Sequence, residues 1–263
     1  MNEITRIFRQ LNKHGKKALI PYITAGDPSI EKTYELMQFL AENGADIIEL
    51  GIPFSDPMAD GEVVQRAMER SLKAGTTLQA IFSLVERFQE RYKTPIILMG
   101  YLNPIYAYGV ERFVAEAGRA GVKGLITVDM PPEEAREFCA LLKRHGMAGI
   151  FLATPVTDQE RIQVIKRFAR GFLYFVSVTG VTGERDKIPP EINKKIAEIK
   201  ALVKLPIALG FGISHPRIIE EFYPYLDGFV VGSALIRRWE VTFDVKDAEL
   251  VNFFRGMVHA CHG

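Results

Sequence analysis

Carboxyl groups stand where packing alone would not put them in IIELGIPFSDPMADG, residues 47–61. Glu49 interrupts the apolar run Ile47-Ile48-Glu49-Leu50, and Asp56 and Asp60 follow among Pro53, Pro57 and Gly61, where regular structure cannot continue. Successive side chains in a strand alternate between faces. If Ile48 and Leu50 face surrounding helices, Glu49 faces a drier interior, which raises its pKa. A carboxyl group so placed can give and take a proton near neutral pH. Each acid also has a plainer reading. Glu49 could end a strand paired with a Lys or Arg, because an unpaired buried carboxylate is costly. Asp60 could cap the helix-like EVVQRAMERSLKAG (62–75), and Asp56 could be a turn residue. Tyr174, inside an apolar run, could be core packing.

A second group of residues is suited to an anion. GVTGER (180–185), GFGIS (210–214) and Gly232-Ser233 each follow an apolar run. Glycine lets backbone N–H groups approach a phosphate, and Ser233 adds a hydroxyl. No lysine lies in any of the apolar runs, which argues against a Schiff-base aldolase. The histidines are His14, His145, His215, His259 and His262. The terminal HACH is isolated, so no metal site is expected, and His215 reads as a helix cap.

The elements that must position these groups are periodic. Eight apolar runs recur: 18–24, 45–51, 95–101, 124–130, 148–154, 172–178, 206–212 and 228–234. Most are continuous, as in strands buried on both faces. Helical spacing fills the gaps at 29–44, 77–92, 109–121, 131–146, 158–171, 190–203 and 215–226, the last limited by Pro224. Alternation of this kind predicts parallel strands joined by crossover helices. Eight units in 263 residues predict an α/β fold, a (β/α)8 TIM barrel with an N-terminal extra helix, occupying residues 1–263 as a single domain. An open doubly wound sheet would carry a Gly-rich turn after its first strand, whereas TAGDPS has one glycine. In such barrels the active site lies at the C-terminal ends of the strands, and the loops after strands seven and eight commonly bind phosphate.

Composition excludes other classes. Lys plus Arg is 33 and Asp plus Glu is 32, so no nucleic-acid surface or polybasic anchor is indicated. Two cysteines, Cys139 and Cys261, do not make a disulfide framework, and a cytoplasmic location is expected. The N-terminus reads as an amphipathic helix rather than a signal peptide, and no apolar run reaches the roughly 18 residues of a membrane span.

IELGIPFSDPMADG closely resembles the signature of the tryptophan synthase α chain family. The likeness extends to PYITAGDPS, MGYLNPIYAYG, VDMPPEEA, ATPVTDQERI, VSVTGVTGER, GFGIS and GFVVGSALI, and so to essentially the whole chain. It implies retro-aldol cleavage of indole-3-glycerol phosphate to indole and glyceraldehyde 3-phosphate. Glu49 matches the acid/base residue and Asp60 the carboxylate that binds the indole N–H. Tyr174 matches a tyrosine lining the site, and Tyr22, Met99 and Ile126 fall at positions lining the indole pocket. Gly183, Gly212, Gly232 and Ser233 match phosphate-binding positions, and Thr182 lies in the loop that closes over substrate. The resemblance implies no cofactor in this chain. The partner would be a pyridoxal-phosphate β chain in an α2β2 heterotetramer, to which indole passes. Pro53, Asp56 and Pro57 belong to the partner-facing loop.

Two positions depart from the pattern. Glu62 stands where the family usually has proline, and Val178 where some members have arginine. The rival readings are another phosphate-binding barrel enzyme, such as an isomerase, and a regulatory subunit that has lost lyase activity and tunes its β chain. The presence of both Glu49 and Asp60 argues against the latter.

Overall fold

The computed structural model describes residues 2–176, 191–210 and 212–263. Eight parallel strands close into a barrel in chain order: β1 (Ala18–Thr24), β2 (Ile48–Gly51), β3 (Ile96–Gly100), β4 (Gly124–Thr127), β5 (Ala148–Ala153), β6 (Leu173–Val176), β7 (Ile207–Gly210) and β8 (Gly228–Val231). The barrel shuts where β1 pairs β8, with Ile20 opposite Val230 and Pro21 opposite Val231. The predicted TIM-barrel class is the observed one.

Alternation along each strand sorts the core into two sets. Leu19, Ile23, Ile48, Leu50, Ile96, Leu98, Leu173, Phe175, Leu209 and Phe229 pack outward against helices. Ile20, Tyr22, Ile97, Met99, Ile126, Ile150, Tyr174, Ala208 and Val230 pack inside the barrel. The extra helix α1 (Glu3–Lys13) starts at an Asn2 cap, whose side chain accepts from the Thr5 N–H at 2.8 Å. It presents Ile4 and Phe8 to the N-terminal mouth, where the Phe8 ring lies 5.3 Å from that of Phe172. That end is plugged, which leaves the C-terminal end for chemistry.

The helices are α2 (Ile30–Glu42), α3 (Glu62–Lys73), α4 (Leu78–Gln89), α5 (Leu102–Tyr108), α6 (Val110–Ala120), α7 (Arg136–Arg144), α8 (Gln159–Phe168), α9 (Glu191–Leu202), α10 (Pro216–Phe222), α11 (Ser233–Thr242) and α12 (Ala248–His262). Ser29, Thr77 and Asp158 cap α2, α4 and α8 through their side chains, as their types suggest. His215 caps α10.

Several predicted boundaries are corrected. The run 45–51 becomes a strand only from Ile48, because Asp46 turns its carboxylate to the Leu19 N–H at 2.8 Å. The helix placed at 131–146 begins at Arg136, since Pro131 and Pro132 lead a pair of turns closed on their own carbonyls. The run 228–234 is strand only to Val231, and Ser233 starts α11. Pro224 ends α10 early, at Phe222.

Candidate active site

β2 carries Glu49 inward. Its register partners are Tyr22 on β1 and Ile97 on β3, so the carboxyl group sits among inward-facing side chains. It is 0% exposed, and among the described residues neither carboxyl oxygen has a hydrogen-bond partner. No described lysine or arginine pairs with it, which speaks against the paired strand-end alternative. Burial pushes the Glu49 pKa from 4.5 up to about 8, and the nearby charge of Asp60 adds to the rise.

Asp60 lies just before α3 and is 3% exposed. It is not the cap of that helix. Gly61 occupies the cap position with extended dihedrals and no side-chain bond. The Asp60 carboxylate instead accepts from the Tyr101 hydroxyl at 2.6 Å, and its backbone carbonyl accepts from Gln65 Nε2 at 2.7 Å. Burial raises the Asp60 pKa, and the Tyr101 hydrogen bond opposes that rise. The two acids thus differ in kind: one has a donor that stabilises its anion, and the other has none among the described residues.

Two phenols join them. Burial drives the Tyr22 and Tyr174 hydroxyls well above their ordinary pKa; next in effect comes Asp60 for Tyr22 and Glu49 for Tyr174. Both are neutral and act as polar tips on apolar bodies. They need room, which glycine supplies. A Cβ on Gly51 would meet the Tyr22 hydroxyl at 2.2 Å, and one on Gly210 would meet the Tyr174 ring at 1.9 Å. Met99 and Ile126, adjacent in register, add an apolar wall.

Gly232 sits beside this group, since a Cβ there would lie 3.4 Å from the Tyr22 ring. Ser233 is the first residue of α11, whose leading N–H groups have no intrahelical acceptor. Gly212, at φ +81°, turns the chain after β7, and no atom of the described residues beyond its chain neighbours lies within 4 Å of where a Cβ would be. The anion-suited residues Gly212, Gly232 and Ser233 therefore follow β7 and β8, at the same end of the barrel as Asp60. Thr182, Gly183 and Val178 lie outside the described residues.

The 51–58 loop forms one side of an open groove of 320 Å³, lined by Phe54, Asp56, Pro57, Met58 and residues of α3. Asp56 is exposed, Pro57 is partly covered and Met58 is 88% exposed, whereas Pro53 is buried. Glu62 occupies the first turn of α3, where a negative charge suits the helix dipole. Proline also suits that position, so the departure is locally neutral.

Sequence reading missed Tyr101. Its hydroxyl bridges the Ala59 N–H (3.1 Å) and Asp60, and its ring lies 5.2 Å from that of Phe54. The available signal was a phenol directly after β3, at the catalytic end of the barrel. Among the described residues no group of three or more His, Cys, Asp or Glu is placed to hold a metal ion. His262 pairs instead with Asp46 at 2.9 Å.

A family model described as tryptophan synthase alpha chain matches residues 8–257. The chain is 50% identical over 240 residues to the tryptophan synthase alpha chain of Geobacter sulfurreducens, covering 91% of each. It superposes on the tryptophan synthase subunit alpha of Legionella pneumophila with a TM-score of 0.91 and 41% identity, covering 99% and 98% of the two chains. A tryptophan synthase complex from Pyrococcus furiosus aligns with a TM-score of 0.85 and 38% identity, covering 93% of this chain and 99% of that one.

Proposed function

The chain belongs to the tryptophan synthase alpha chain family, and on that premise we propose that Glu49 and Asp60 carry out its reaction. The reaction itself comes with the family: indole-3-glycerol phosphate is cleaved to indole and glyceraldehyde 3-phosphate, and indole passes to a β chain in an α2β2 assembly. Pyridoxal phosphate belongs to that β chain.

A C–C bond to an aromatic carbon breaks heterolytically once that carbon is protonated. Glu49 begins as the neutral acid, in keeping with a pKa near 8. It donates its proton to indole C3, which leaves an indolenine cation and a carboxylate. The Asp60 anion faces the ring N–H and offsets the positive charge. The Glu49 carboxylate then removes the side-chain hydroxyl proton. The O–H electrons form the aldehyde carbonyl, the C–C pair returns to the ring, and Glu49 ends protonated as it began. The observation that carries this assignment is a fully buried carboxyl group with no hydrogen-bond partner among the described residues, beside a second acid that has one.

Tyr22, Met99, Ile126 and Tyr174 are assigned to the indole pocket, supported by their inward packing around Glu49. Gly212, Gly232 and Ser233 are assigned to the phosphate, supported by their position after β7 and β8. Thr182 and Gly183 rest on sequence alone. Asp56, Pro57 and, from beneath, Pro53 are assigned to the β-chain face. Residues 1–263 are taken as one domain, in keeping with a barrel closed by its first and last strands. A cytoplasmic location is assigned in keeping with the free Cys139 and Cys261.

Indole release from indole-3-glycerol phosphate tests the assignment. Glu49→Gln is expected to bind substrate and to release no indole. Turnover near the parent rate would remove Glu49 from the chemistry.

A further inference from the structure

Asp27 follows β1, far in sequence from both acids, yet it is 3% exposed and ionically paired. Arg70, on α3, grips it with two prongs: Nε to Oδ1 at 2.6 Å and Nη2 to Oδ2 at 2.9 Å. The remaining arm, Nη1, reaches Glu240 on α11 at 2.9 Å. Arg66, one turn earlier, reaches the other Glu240 oxygen at 2.9 Å. Trp239 Nε1 donates to the Asp27 carbonyl at 3.1 Å, and Ser71 donates to the Ala25 carbonyl. The Arg70 guanidinium lies 5.5 Å from the Phe243 ring centre.

A buried ion pair is a poor device for stability, because desolvation consumes most of the attraction. A guanidinium divided between two carboxylates is a good device for fixing direction, because its donors lie in one rigid plane. What it fixes here are two helices that begin at different parts of the proposed substrate site. α3 starts two residues after Asp60, and its Gln65 holds the Asp60 carbonyl. α11 starts at Ser233, beside Gly232. Arg70 and Glu240 lie about 12 and 10 Å along their helices from those starts. A small change of angle at the ion pairs therefore becomes a displacement at the site.

We infer that Asp27, Arg70 and Glu240 form a positioning strut that sets the spacing between the Asp60 carboxylate and the phosphate-binding start of α11. The inference rests on the site assignment above. None of the three touches substrate. Each half of the site is built locally, so a ligand that occupies one half does not feel the strut. A ligand spanning both halves does.

The test uses the full-length chain with Arg70→Lys, which keeps a positive charge beside Asp27 but cannot divide it between two carboxylates. Glu240→Gln, which leaves Asp27 paired, serves if the lysine variant does not fold. Arg87→Gln, which removes an exposed ion pair to Glu31, is the control. Melting temperature, affinity for glycerol 3-phosphate, affinity for indole, and kcat and KM for indole-3-glycerol phosphate are measured on each. Both half-ligands are expected to bind within about twofold of the parent. The kcat of Arg70→Lys is expected to fall by about 10- to 100-fold, as a displacement near 1 Å would cause. A folded Arg70→Lys protein with the parent kcat overturns the strut. So does a loss of half-ligand affinity as large as the loss of turnover, which would mean general loosening. Glu49→Gln runs alongside: activity there strikes the site assignment, whereas inactivity there with full activity in Arg70→Lys strikes the strut alone.

Discussion

Glu49→Gln should do two opposite things, abolishing turnover and stabilising the fold at alkaline pH. The carboxyl group has a pKa of about 8 in the folded chain against 4.5 when free. Below 4.5 both states hold the proton and burial of the acid carries no ionic penalty. Between 4.5 and 8 the unfolded chain releases the proton and the folded chain retains it, so folding grows less favourable as pH rises. At about 1.4 kcal/mol for each pH unit, the penalty reaches at most about 5 kcal/mol at pH 8 and then levels off. Glutamine has nearly the same shape and is neutral throughout. Its buried amide lacks partners much as the protonated acid does, so the two proteins should melt together near pH 4.5. A chain of this size gains about 2 °C for each kcal/mol. The variant's advantage should therefore widen towards about 10 °C by pH 8. The assay is thermal unfolding of both proteins from pH 4.5 to 9, read as the difference between them, which cancels every other titration except that of Asp60. Loss of the Glu49 charge also eases ionisation of Asp60, which acts in the same direction. A gap that stays constant with pH, or a parent that is more stable at pH 8, would refute a desolvated, proton-retaining Glu49.

The remaining expectations concern activity and ligand binding. The kcat/KM for indole-3-glycerol phosphate should fall as pH rises through about 8, because cleavage starts from neutral Glu49; a flat profile to pH 10 would contradict that order of proton transfers. Tyr101→Phe removes the hydrogen bond that holds the Asp60 pKa down, so the acid limb of the same profile should move to higher pH and kcat should drop by about tenfold or more. A profile that coincides with the parent's would make Tyr101 a packing residue only. Ser233→Asp should weaken glycerol 3-phosphate by at least about tenfold through like-charge repulsion, checked by titration calorimetry; unchanged affinity would move the phosphate site away from α11.

The barrel was legible because its strands are buried on both faces and so read as apolar runs wherever they fall. Their ends were less so. Asp46, Pro131 and Ser233 each leave the expected element for a reason that depends on a partner or a turn: the Leu19 N–H, a pair of turns, and the start of α11. Glu49 was legible as an anomaly in an apolar run. Whether a base stood opposite it was not, since that depends on what seven other strands present. Asp60 shows the limit most sharply. Local sequence favoured a helix cap, but Gly61 can take the cap dihedrals without a side chain, which frees the carboxylate for Tyr101, 41 residues on. The Arg70 pairs span 43 and 170 residues, distances at which periodicity carries no information.

On the proposed assignment, the contrast between the two acids accounts for the use of both. Two carboxylates in one dry space repel, so one of them must hold a proton at neutral pH. Which one holds it is set first by burial, complete at Glu49, and then by the donor that Asp60 has. Tyr101 lowers the cost of an anion at Asp60, and no described residue does so at Glu49. On the proposed assignment, the proton is then stored where the attacked carbon would lie, and the fixed negative charge is placed where the cation would form. On the same proposal Tyr101, hydrogen-bonded to Asp60, helps decide which acid can protonate the substrate.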